Sequence, residues 1–552
     1  MPAAVSPADV CIYQRIEIEK ERKLMIKKVV SLILCLTMIS AAVVSLTVQA
    51  EEIIEPGPAQ EAFFAGDPGK SDADLASTGV TLEDPLIAPR VVVTTENGNG
   101  TTLQKEDGYV NANITITDTD GSTLTDACSF KVRGNTTAMS FVLKKAYTFK
   151  FAKKKDVLGL GKGKKWALLA NAFDPTMLRN TMAFELANEL GLSYTSNHRF
   201  VEVFVDGSYR GCYELTEPVQ EGKERVDIDI ESNDGMKDFL IEYEAQRVEE
   251  DTTYFTVNGL RFIASEPEEP NEDQLAYITD TMTDITNTLK SGSREEIEAV
   301  INVPSFASYY LLNEYFKTMD FDMSSVFFYY KDGKLYAGPA WDYDMSTGNT
   351  NANLNNSRPK KTAASDGIMQ SDKNLYKFLC NKSWFMDEVK AVYEDHYDYI
   401  RGIFTDGGQL DIWSAQYSEL FQRNATVWPA SKWWYNYQKK PLPTYQENLD
   451  YLKNWLSERN SWLYDYWDLF AYEYLRGDAD GNGVIEVLDV TAVQRSLLGL
   501  GVPGDDGHLA LRATLTGDTL SIIDATVIQR YNALMGNRYD LNTTVKTKLK
   551  EK

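Results

Sequence analysis

An internal repeat near the C-terminus constrains the fold more than any other feature of the sequence. Residues Leu488–Arg495 read Leu-Asp-Val-Thr-Ala-Val-Gln-Arg, and residues Ile523–Arg530 repeat them as Ile-Asp-Ala-Thr-Val-Ile-Gln-Arg. In both copies apolar residues recur at helical spacing after an aspartate. The repeat therefore predicts a small all-α module of two loop–helix units within residues 471–540.

The first copy follows a loop rich in oxygen ligands. Calcium takes six to eight oxygen ligands, and a twelve-residue calcium loop supplies them from fixed positions around a glycine at position 6. The loop Asp478–Asp489 has side-chain oxygens at positions 1, 3, 5, 9 and 12, a glycine at position 6 and a free carbonyl at position 7. The predicted calcium ligands are Asp478, Asp480, Asn482, Val484 through its backbone, Glu486 and Asp489.

The second loop has lost most of these groups. When the chain is aligned back from Asp524, positions 1, 3 and 5 are Ala513, Leu515 and Gly517, none of which has a side-chain oxygen. Ser521 and Asp524 are the clear ligands that remain. The sequence predicts calcium in the first loop and leaves its binding at Asp524 doubtful.

The two units together resemble the type I dockerin module of cellulosomal proteins. The resemblance implies that one or both helices dock on a cohesin domain of a scaffold protein. It places the contacts at loop positions 10 and 11 and at the Gln-Arg pairs. The corresponding residues are Val487, Leu488, Gln494 and Arg495 in the first copy, and Ile522, Ile523, Gln529 and Arg530 in the second.

The N-terminus has the pattern of an export signal. Lys27 and Lys28 precede the apolar run 29–44, and a small-x-small cleavage site ends at Ala50. We expect residues 1–50 to be a signal peptide, with residues 1–24 an upstream mis-start, followed by a linker at 51–88. The protein is then secreted in a bacterium and held at the cell surface or in a cellulosome, with no membrane segment after cleavage. A retained membrane anchor is the alternative, against which the short apolar run argues.

Composition excludes several classes of function. The formal net charge of the 552 residues is −25, which argues against nucleic acid as a partner. With only three histidines, a His-based zinc site or a Ser-His-Asp triad is not expected. Beyond residue 50 the cysteines are Cys128, Cys212 and Cys380, which allow at most one disulfide and require none.

The large middle part of the chain changes from β-type patterns to helical patterns along its length. Short β-type runs occur at 90–95, 109–117, 127–132, 146–151 and 200–205, with one helix at 176–190. Apolar faces at helical spacing then occur at 272–289, 305–317, 384–403, 413–424 and 447–467. We predict a two-lobed α+β domain at 89–470 and a basic tail at 541–552.

Aspartates flank a predicted hairpin in this domain. Asp332-Gly333 between two aromatic-rich runs is a hairpin turn. An antiparallel hairpin brings its entry and exit together, so Asp320 and Asp322 should lie near Asp342 and Asp344. Gathered carboxylates suit phosphoryl transfer with a divalent metal, although such clusters are more often ordinary surface.

The spacing of these aspartates matches that of the catalytic and metal-binding residues of protein kinases. There a catalytic aspartate is followed five residues later by a metal-binding asparagine, then by a short hairpin and a metal-binding aspartate. Here Asp320 is followed by Ser325, the hairpin and Asp342, so serine stands where asparagine is usual.

Several motifs together resemble the CotH kinase family of spore-coat and secreted proteins, over about residues 90–470. They are Arg133-Gly-Asn-Thr-Thr137, Lys144-Lys-Ala-Tyr147, Lys164-Lys-Trp-Ala-Leu-Leu-Ala-Asn171, Asp174 with Leu178-Arg-Asn180, Gly211-Cys-Tyr-Glu-Leu-Thr-Glu217 and Pro339-Ala-Trp-Asp-Tyr-Asp344. The resemblance implies an atypical protein-kinase-like fold that transfers phosphate from ATP to Ser or Thr of secreted proteins.

The resemblance also implies roles for individual residues. Asp320 is the catalytic aspartate, Asp342 the principal Mg or Mn ligand, Asp344 and Ser325 supporting ligands, Arg133 and Lys145 contacts of the ATP phosphates, and Asn135 and Glu217 residues that hold those contacts in place. Ala146 stands where the family usually has proline after the lysine pair.

Other interpretations stay open at this stage. The serine at position 325 favours a non-catalytic binding protein on a kinase-like scaffold. The alternate carboxylates Glu242 and Glu244 allow a carbohydrate-active enzyme, although such pairs are common on strands. Arg179 is separated from Asp174 by about one helical turn, which favours a structural ion pair between them.

Overall fold

The computed structural model describes residues 79–139, 142–232, 235–245, 252–429, 435–537 and 539–550. The predicted signal peptide and most of the predicted linker lie outside these ranges. Within them, no helix has both the length and the apolar character that a membrane-spanning helix needs. Cys128, Cys212 and Cys380 are free thiols.

The first lobe is a closed barrel of seven strands. Its members are β1 (Arg90–Thr95), β2 (Val110–Thr117), β3 (Thr123–Arg133), β4 (Ala146–Asp156), β5 (Lys162–Leu169), β6 (His198–Val205) and β7 (Ser208–Thr216). Their order is β1-β2-β3-β4-β5-β7-β6, and a parallel pairing of β1 with β6 closes the barrel. Alternate side chains such as Val93, Phe130 and Trp166 fill the interior, as the period of a strand dictates.

The second lobe is built on a five-stranded sheet. Its strands are β10 (Phe239–Tyr243), β11 (Tyr254–Val257), β12 (Leu260–Glu266), β13 (Val326–Lys331) and β14 (Lys334–Ala337), in the order β11-β12-β10-β13-β14. The pairs of neighbouring strands are antiparallel. Two short strands, β8 (Glu231–Ser232) and β9 (Gly235–Met236), pair with each other in the connection from the barrel.

Helices pack around this sheet and against one side of the barrel. They are α1 (Arg179–Glu189), α2 (Glu272–Ser291), α3 (Arg294–Val300), α4 (Val303–Phe316), α5 (Ser357–Ala363), α6 (Ser383–Asp395), α7 (Tyr397–Phe404), α8 (Gln409–Gln416), α9 (Ser418–Val427) and α10 (Tyr445–Tyr466). The predicted helices at 384–403 and 413–424 are therefore each divided in two. The apolar spacing continues across His396 and Tyr417, where the backbone leaves the helical region, so spacing alone does not reveal the breaks.

Helix α4 lies at the centre of the second lobe. Twelve of its fourteen residues are buried, as expected of a helix that is apolar on every side. Asn302 caps its first turn by accepting a hydrogen bond from the backbone N–H of Ser305. The helix ends at Phe316, and the left-handed backbone of the next residue, Lys317, turns the chain sharply toward Asp320.

A buried ion pair ties α4 to α10. Glu314 and Arg459 approach to 2.7 Å, and both side chains are fully buried. The carboxylate of Glu314 also accepts hydrogen bonds from the backbone N–H groups of Met369 and Gln370. The guanidinium donates to the carbonyl of Gly367, so the pair fixes this connecting segment as well.

The C-terminal module has its own small core. Its helices are α11 (Val487–Leu497), α12 (Leu509–Ala513) and α13 (Ile522–Asn532), and α11 packs against α13 through residues such as Val493 and Ile528. Strands β15 (Ala471–Leu475) and β16 (Thr544–Lys548) pair antiparallel at the ends of the module. The predicted basic tail therefore contains a strand, and Lys550 reaches Asp398 at 2.6 Å.

Replacement of Arg459 by alanine should destabilise the large domain by about 3–5 kcal/mol, because it leaves Glu314 buried without its counter-ion. Urea unfolding followed by tryptophan fluorescence measures the change. The exposed pair of Lys237 with Asp332 is the control, and Lys237→Ala should leave the unfolding midpoint unchanged. Equal effects of the two substitutions would contradict a special role for the buried pair.

Candidate functional sites

Asp320 lies on a short 3₁₀ helix, Met319–Asp322, directly before β13. Its side chain is half-buried. The backbone around it is held from two sides. Met319 donates its N–H to the carbonyl of Met345, and Gln370 donates its side-chain amide to the carbonyl of Thr318.

The hairpin of β13 and β14 brings its two ends together, as predicted. The hydroxyl of Ser325, before β13, donates to Oδ2 of Asp342, after β14, at 3.3 Å. The backbone N–H of Ser325 donates to Glu242 on the neighbouring strand β10 at 2.8 Å. Both Ser325 and Asp342 have left-handed backbones, with φ of 62° and 66°. The exposed carboxylate of Asp342 is thus presented by a tightly turned backbone.

The charges of Asp342, Asp320 and Asp174 act on the carboxyl group of Asp344. Burial raises the pKa of Asp344 well above its usual range, and the negative charges of Asp342 and Asp320 raise it further. Arg179 opposes this increase. Asp344 therefore lies in a region of negative potential to which Asp342 and Asp320 contribute.

Asp322 is engaged elsewhere. It forms ion pairs with Arg358 at 2.9 Å and with Lys373 at 3.6 Å. In the part of the chain that the structure describes, three acidic oxygens come within 4.8 Å of one another only in the C-terminal module. The aspartates around the hairpin are thus an open arrangement and do not form a closed cage.

Arg133 ends strand β3 and faces the hairpin. Its guanidinium lies 5.2 Å from the ring centre of Trp341, and the charge of Asp342 acts on it. Burial lowers its pKa to about 10. Its Nη1 atom is buried and has no hydrogen-bond partner among the described residues. A cationic group with a spare donor therefore stands beside Asp342.

Lys145 and Asn135 form hydrogen bonds with other residues of the barrel lobe. The ammonium group of Lys145 donates to the carbonyl of Ala138 at 3.1 Å and to that of Met139, so it stabilises the preceding loop. Burial lowers its pKa to about 8. Asn135 accepts a hydrogen bond from Lys105 at 2.7 Å on an exposed surface. The structure thus gives Lys145 and Asn135 contacts within the barrel, and their roles toward phosphate stay predictions.

Glu217 forms a buried ion pair with Arg225. It lies at the end of β7, and its Oε1 is 3.6 Å from Nε of Arg225. Burial raises the pKa of Glu217 to about 7. The guanidinium of Arg225 covers the ring of Trp166 at 4.8 Å. Arg225 is therefore the oppositely charged neighbour of Glu217, and a role of Glu217 in supporting Arg133 or Lys145 stays a prediction.

A buried hydrogen-bond chain joins the barrel to the Asp342 loop. Glu214 accepts from the side-chain amide of Asn171 at 2.9 Å, and Asn171 accepts from Asn180 at 3.0 Å. Asn180 in turn accepts from the backbone N–H of Tyr343 at 2.7 Å. Burial raises the pKa of Glu214 to about 7. These positioning residues stand within the motifs that carry the resemblance, although the sequence alone suggested no role for them.

The predicted pair of Asp174 and Arg179 is confirmed. Nη1 of Arg179 lies 2.5 Å from Oδ1 of Asp174, and both side chains are buried. Nε of Arg179 also donates to the hydroxyl of Thr347 at 2.9 Å. The pair thus holds the chain that follows Asp344 against the start of α1.

In the C-terminal module, the loop 478–489 gathers acidic oxygens. Oxygens of Asp478, Asp480 and Asp489 lie within 4.8 Å of one another. The carboxylate of Asp478 accepts the backbone N–H groups of Gly481 and Gly483 at 2.9 Å and 2.8 Å, which wraps the loop around it. Burial and the two neighbouring carboxylates raise the pKa of Asp489 to about 6. The donor set is therefore all oxygen and crowded with negative charge.

The equivalent carboxylate of the second loop is satisfied by hydrogen bonds. Oδ1 of Asp524 accepts from the backbone N–H and the hydroxyl of Thr516, both at 2.8 Å. Its Oδ2 accepts from the N–H and hydroxyl of Ser521 at 2.7 Å and 2.9 Å. Burial opposes ionisation of Asp524, but these hydrogen bonds lower its pKa overall.

The predicted docking residues are exposed in both copies. The apolar side chains at loop positions 10 and 11 are more than half exposed: Val487, Leu488, Ile522 and Ile523. Gln494, Arg495, Gln529 and Arg530 are exposed as well. Each helix thus presents the same set of residues to solvent.

Comparison with known proteins agrees with the geometry of the large domain. No curated protein matches the chain. The family model described as CotH kinase protein matches residues 130–463, which is more than half of the sequence and includes Arg133, Asp320 and Asp342. The chain belongs to the CotH kinase family.

Proposed function

We propose that the large domain transfers the γ-phosphate of ATP to Ser or Thr hydroxyls of extracellular or scaffold-associated proteins. The observation that carries this proposal is the arrangement of Asp320, Asp342 and Asp344 around one hairpin, with the guanidinium of Arg133 beside Asp342. Phosphoryl transfer needs this combination of carboxylates and a cationic donor.

Asp320 takes the role of the proton acceptor. The acceptor hydroxyl loses its proton to this carboxylate as its oxygen forms a bond to the γ-phosphorus. The bond from that phosphorus to the bridging oxygen breaks, and ADP leaves with the electron pair. The 3₁₀ helix holds Asp320 half-buried at the hairpin entry, where a hydroxyl from outside can reach it.

Asp342, Asp344 and Ser325 are the residues that would hold Mg or Mn. Magnesium usually takes one or two carboxylates and completes its shell with water and phosphate oxygens, which fits an open arrangement. A bound ion would offset the negative charge of the phosphates. The spare Nη1 donor of Arg133 is suited to a phosphate oxygen.

The serine at position 325 keeps an oxygen beside the metal ligand. Its hydroxyl lies 3.3 Å from Oδ2 of Asp342, so serine retains a hard oxygen where kinases use asparagine. This contact favours catalysis over a scaffold that only binds. A glycoside hydrolase is disfavoured, because Glu242 holds the N–H of Ser325 and Glu244 is buried beside Arg261.

Phosphate transfer should fall by a factor of about 10²–10⁴ in Asp320→Asn, because the proton acceptor is lost. Asp342→Asn should also abolish metal-dependent transfer, and asparagine tolerates the left-handed backbone at this position. Labelled ATP, Mg²⁺ or Mn²⁺ and extracellular proteins from the source organism provide the assay.

The matched control for this experiment is Asp332→Asn at the exposed hairpin turn, where φ is also positive. It should transfer phosphate at the wild-type rate. Circular dichroism checks that the variants fold. Equal activity in Asp320→Asn, Asp342→Asn and wild type would exclude the proposed mechanism. A folded wild-type protein that transfers no phosphate would favour the binding-only alternative.

We further propose that the C-terminal module binds calcium in its first loop and docks the secreted enzyme on a cohesin domain. Three convergent carboxylates in an all-oxygen loop fit a Ca²⁺ ion. In the second loop the hydrogen bonds of Asp524 replace such an ion. The exposed apolar pairs Val487-Leu488 and Ile522-Ile523 supply the contact surface.

Isothermal titration should detect a single calcium ion per chain, and Asp478→Ala should remove most of the affinity. The control is Asp518→Ala, which removes an exposed carboxylate from the second loop. Chelation should speed hydrogen exchange at 478–497 more than at 516–532, and it should weaken cohesin binding. Two equal calcium ions, or loss of calcium in Asp518→Ala, would contradict this assignment of the loops.

A further inference from the structure

We propose that the segment after Asp344 selects acidic acceptor chains. Helix α5 carries Lys360 and Lys361, which bind Asp, Glu or phosphorylated residues on either side of the Ser or Thr that is modified. The inference rests on the proposed kinase function, because it concerns the acceptor in that reaction.

Helix α5 is fixed beside the residue proposed to take the proton. It packs against the 3₁₀ helix that contains Asp320. Nε of Arg358, on α5, lies 2.9 Å from Asp322, and Lys373, farther along the same segment, lies 3.6 Å from Asp322. Two ion pairs therefore hold the segment to Asp322, which is two positions from Asp320.

The charge of this segment is opposite to that of the protein. Residues 345–382 contain six Lys or Arg and two Asp, without Glu, whereas the whole chain has a formal net charge of −25. A basic patch on an acidic protein favours acidic partners at that patch. An acidic peptide meets attraction here and repulsion over much of the remaining surface.

Two of the six basic residues are exposed, and the other four are half-buried. Arg358 and Lys373 are occupied by Asp322. Lys360 and Lys361 are exposed, and neither forms an ion pair with a residue that the structure describes. The two exposed lysines therefore stand on the helix that packs against the 3₁₀ helix of Asp320.

The two lysines stand on a preorganised support. Asn356 caps α5 by accepting the N–H of Arg358 at 3.0 Å. Thr350 donates to the carbonyl of Pro359 at 2.7 Å, and the indole of Trp455 donates to that of Ala363 at 2.9 Å. Because the helix is held at its start, middle and end, binding orders only the lysine side chains.

Two labelled peptides with the same central serine test the proposal, one flanked by Glu and the other by Lys. Fluorescence anisotropy with the full mature chain, ADP and Mg²⁺ measures their affinities. We expect the Glu-flanked peptide to bind about tenfold tighter at low salt, with the preference decreasing as salt rises. The double substitution Lys360→Glu and Lys361→Glu should reverse the preference.

The matched control is Lys153→Glu with Lys154→Glu, which makes the same change of charge at exposed positions of β4. It should keep the wild-type preference. Equal affinity of the wild type for both peptides, or equal effects of the two double variants, would overturn the inference.

Transfer of labelled phosphate to the two peptides is measured separately. A binding preference without transfer would refute the kinase proposal and leave acidic recognition standing. Transfer to both peptides with equal kcat/KM and equal affinity would refute the acidic preference alone.

Discussion

The hairpin of β13 and β14 is the constraint on which the candidate active site depends. Because an antiparallel hairpin returns the chain to its starting point, Ser325 and Asp342 come within hydrogen-bond distance. Contacts from other elements then hold the hairpin ends. Glu242 accepts the N–H of Ser325, Asn180 accepts that of Tyr343, and Arg133 stacks on Trp341. One local turn thus creates the site, and long-range contacts from both lobes fix its geometry.

Two buried ion pairs hold the segments around the hairpin in place. Glu314 with Arg459 fixes the segment that carries Met369 and Gln370, and Asp174 with Arg179 fixes the chain after Asp344. The exposed carboxylate of Asp342 and the spare donor of Arg133 lie where a ligand would enter. This division suits a site that binds a charged substrate, since a buried charge without a partner would destabilise the fold elsewhere.

Local signals made the hairpin, strand β1 and the aspartates predictable from the sequence, because each depends on residues that are close in the chain. The closed barrel was not predictable, because the parallel pair of β1 and β6 that closes it joins residues far apart in the chain. Arg90 and Glu202, which pair there, are separated by 112 positions. Strand β5 was missed because its first half is rich in Lys and Gly, so apolar and polar residues do not alternate clearly there. The contacts of Lys145 were not predictable either, because it precedes β4 and its side chain turns to the loop carbonyls. Sequence spacing identifies a residue type, whereas the direction of a side chain depends on the backbone that carries it.

In the two halves of the C-terminal module, the same kind of helix start is surrounded by different polar groups. In each half an aspartate at the start of a helix accepts backbone N–H groups from its loop: Asp489 from Asp480 and Glu486, and Asp524 from Leu515 and Ser521. The first half adds two more carboxylates, whose repulsion a cation would relieve. The second half adds the hydroxyls of Thr516 and Ser521, which satisfy the aspartate without a cation. The exchange of carboxylates for hydroxyls therefore keeps the helix start and its exposed apolar pair, and it removes the two neighbouring carboxylates that would repel the aspartate.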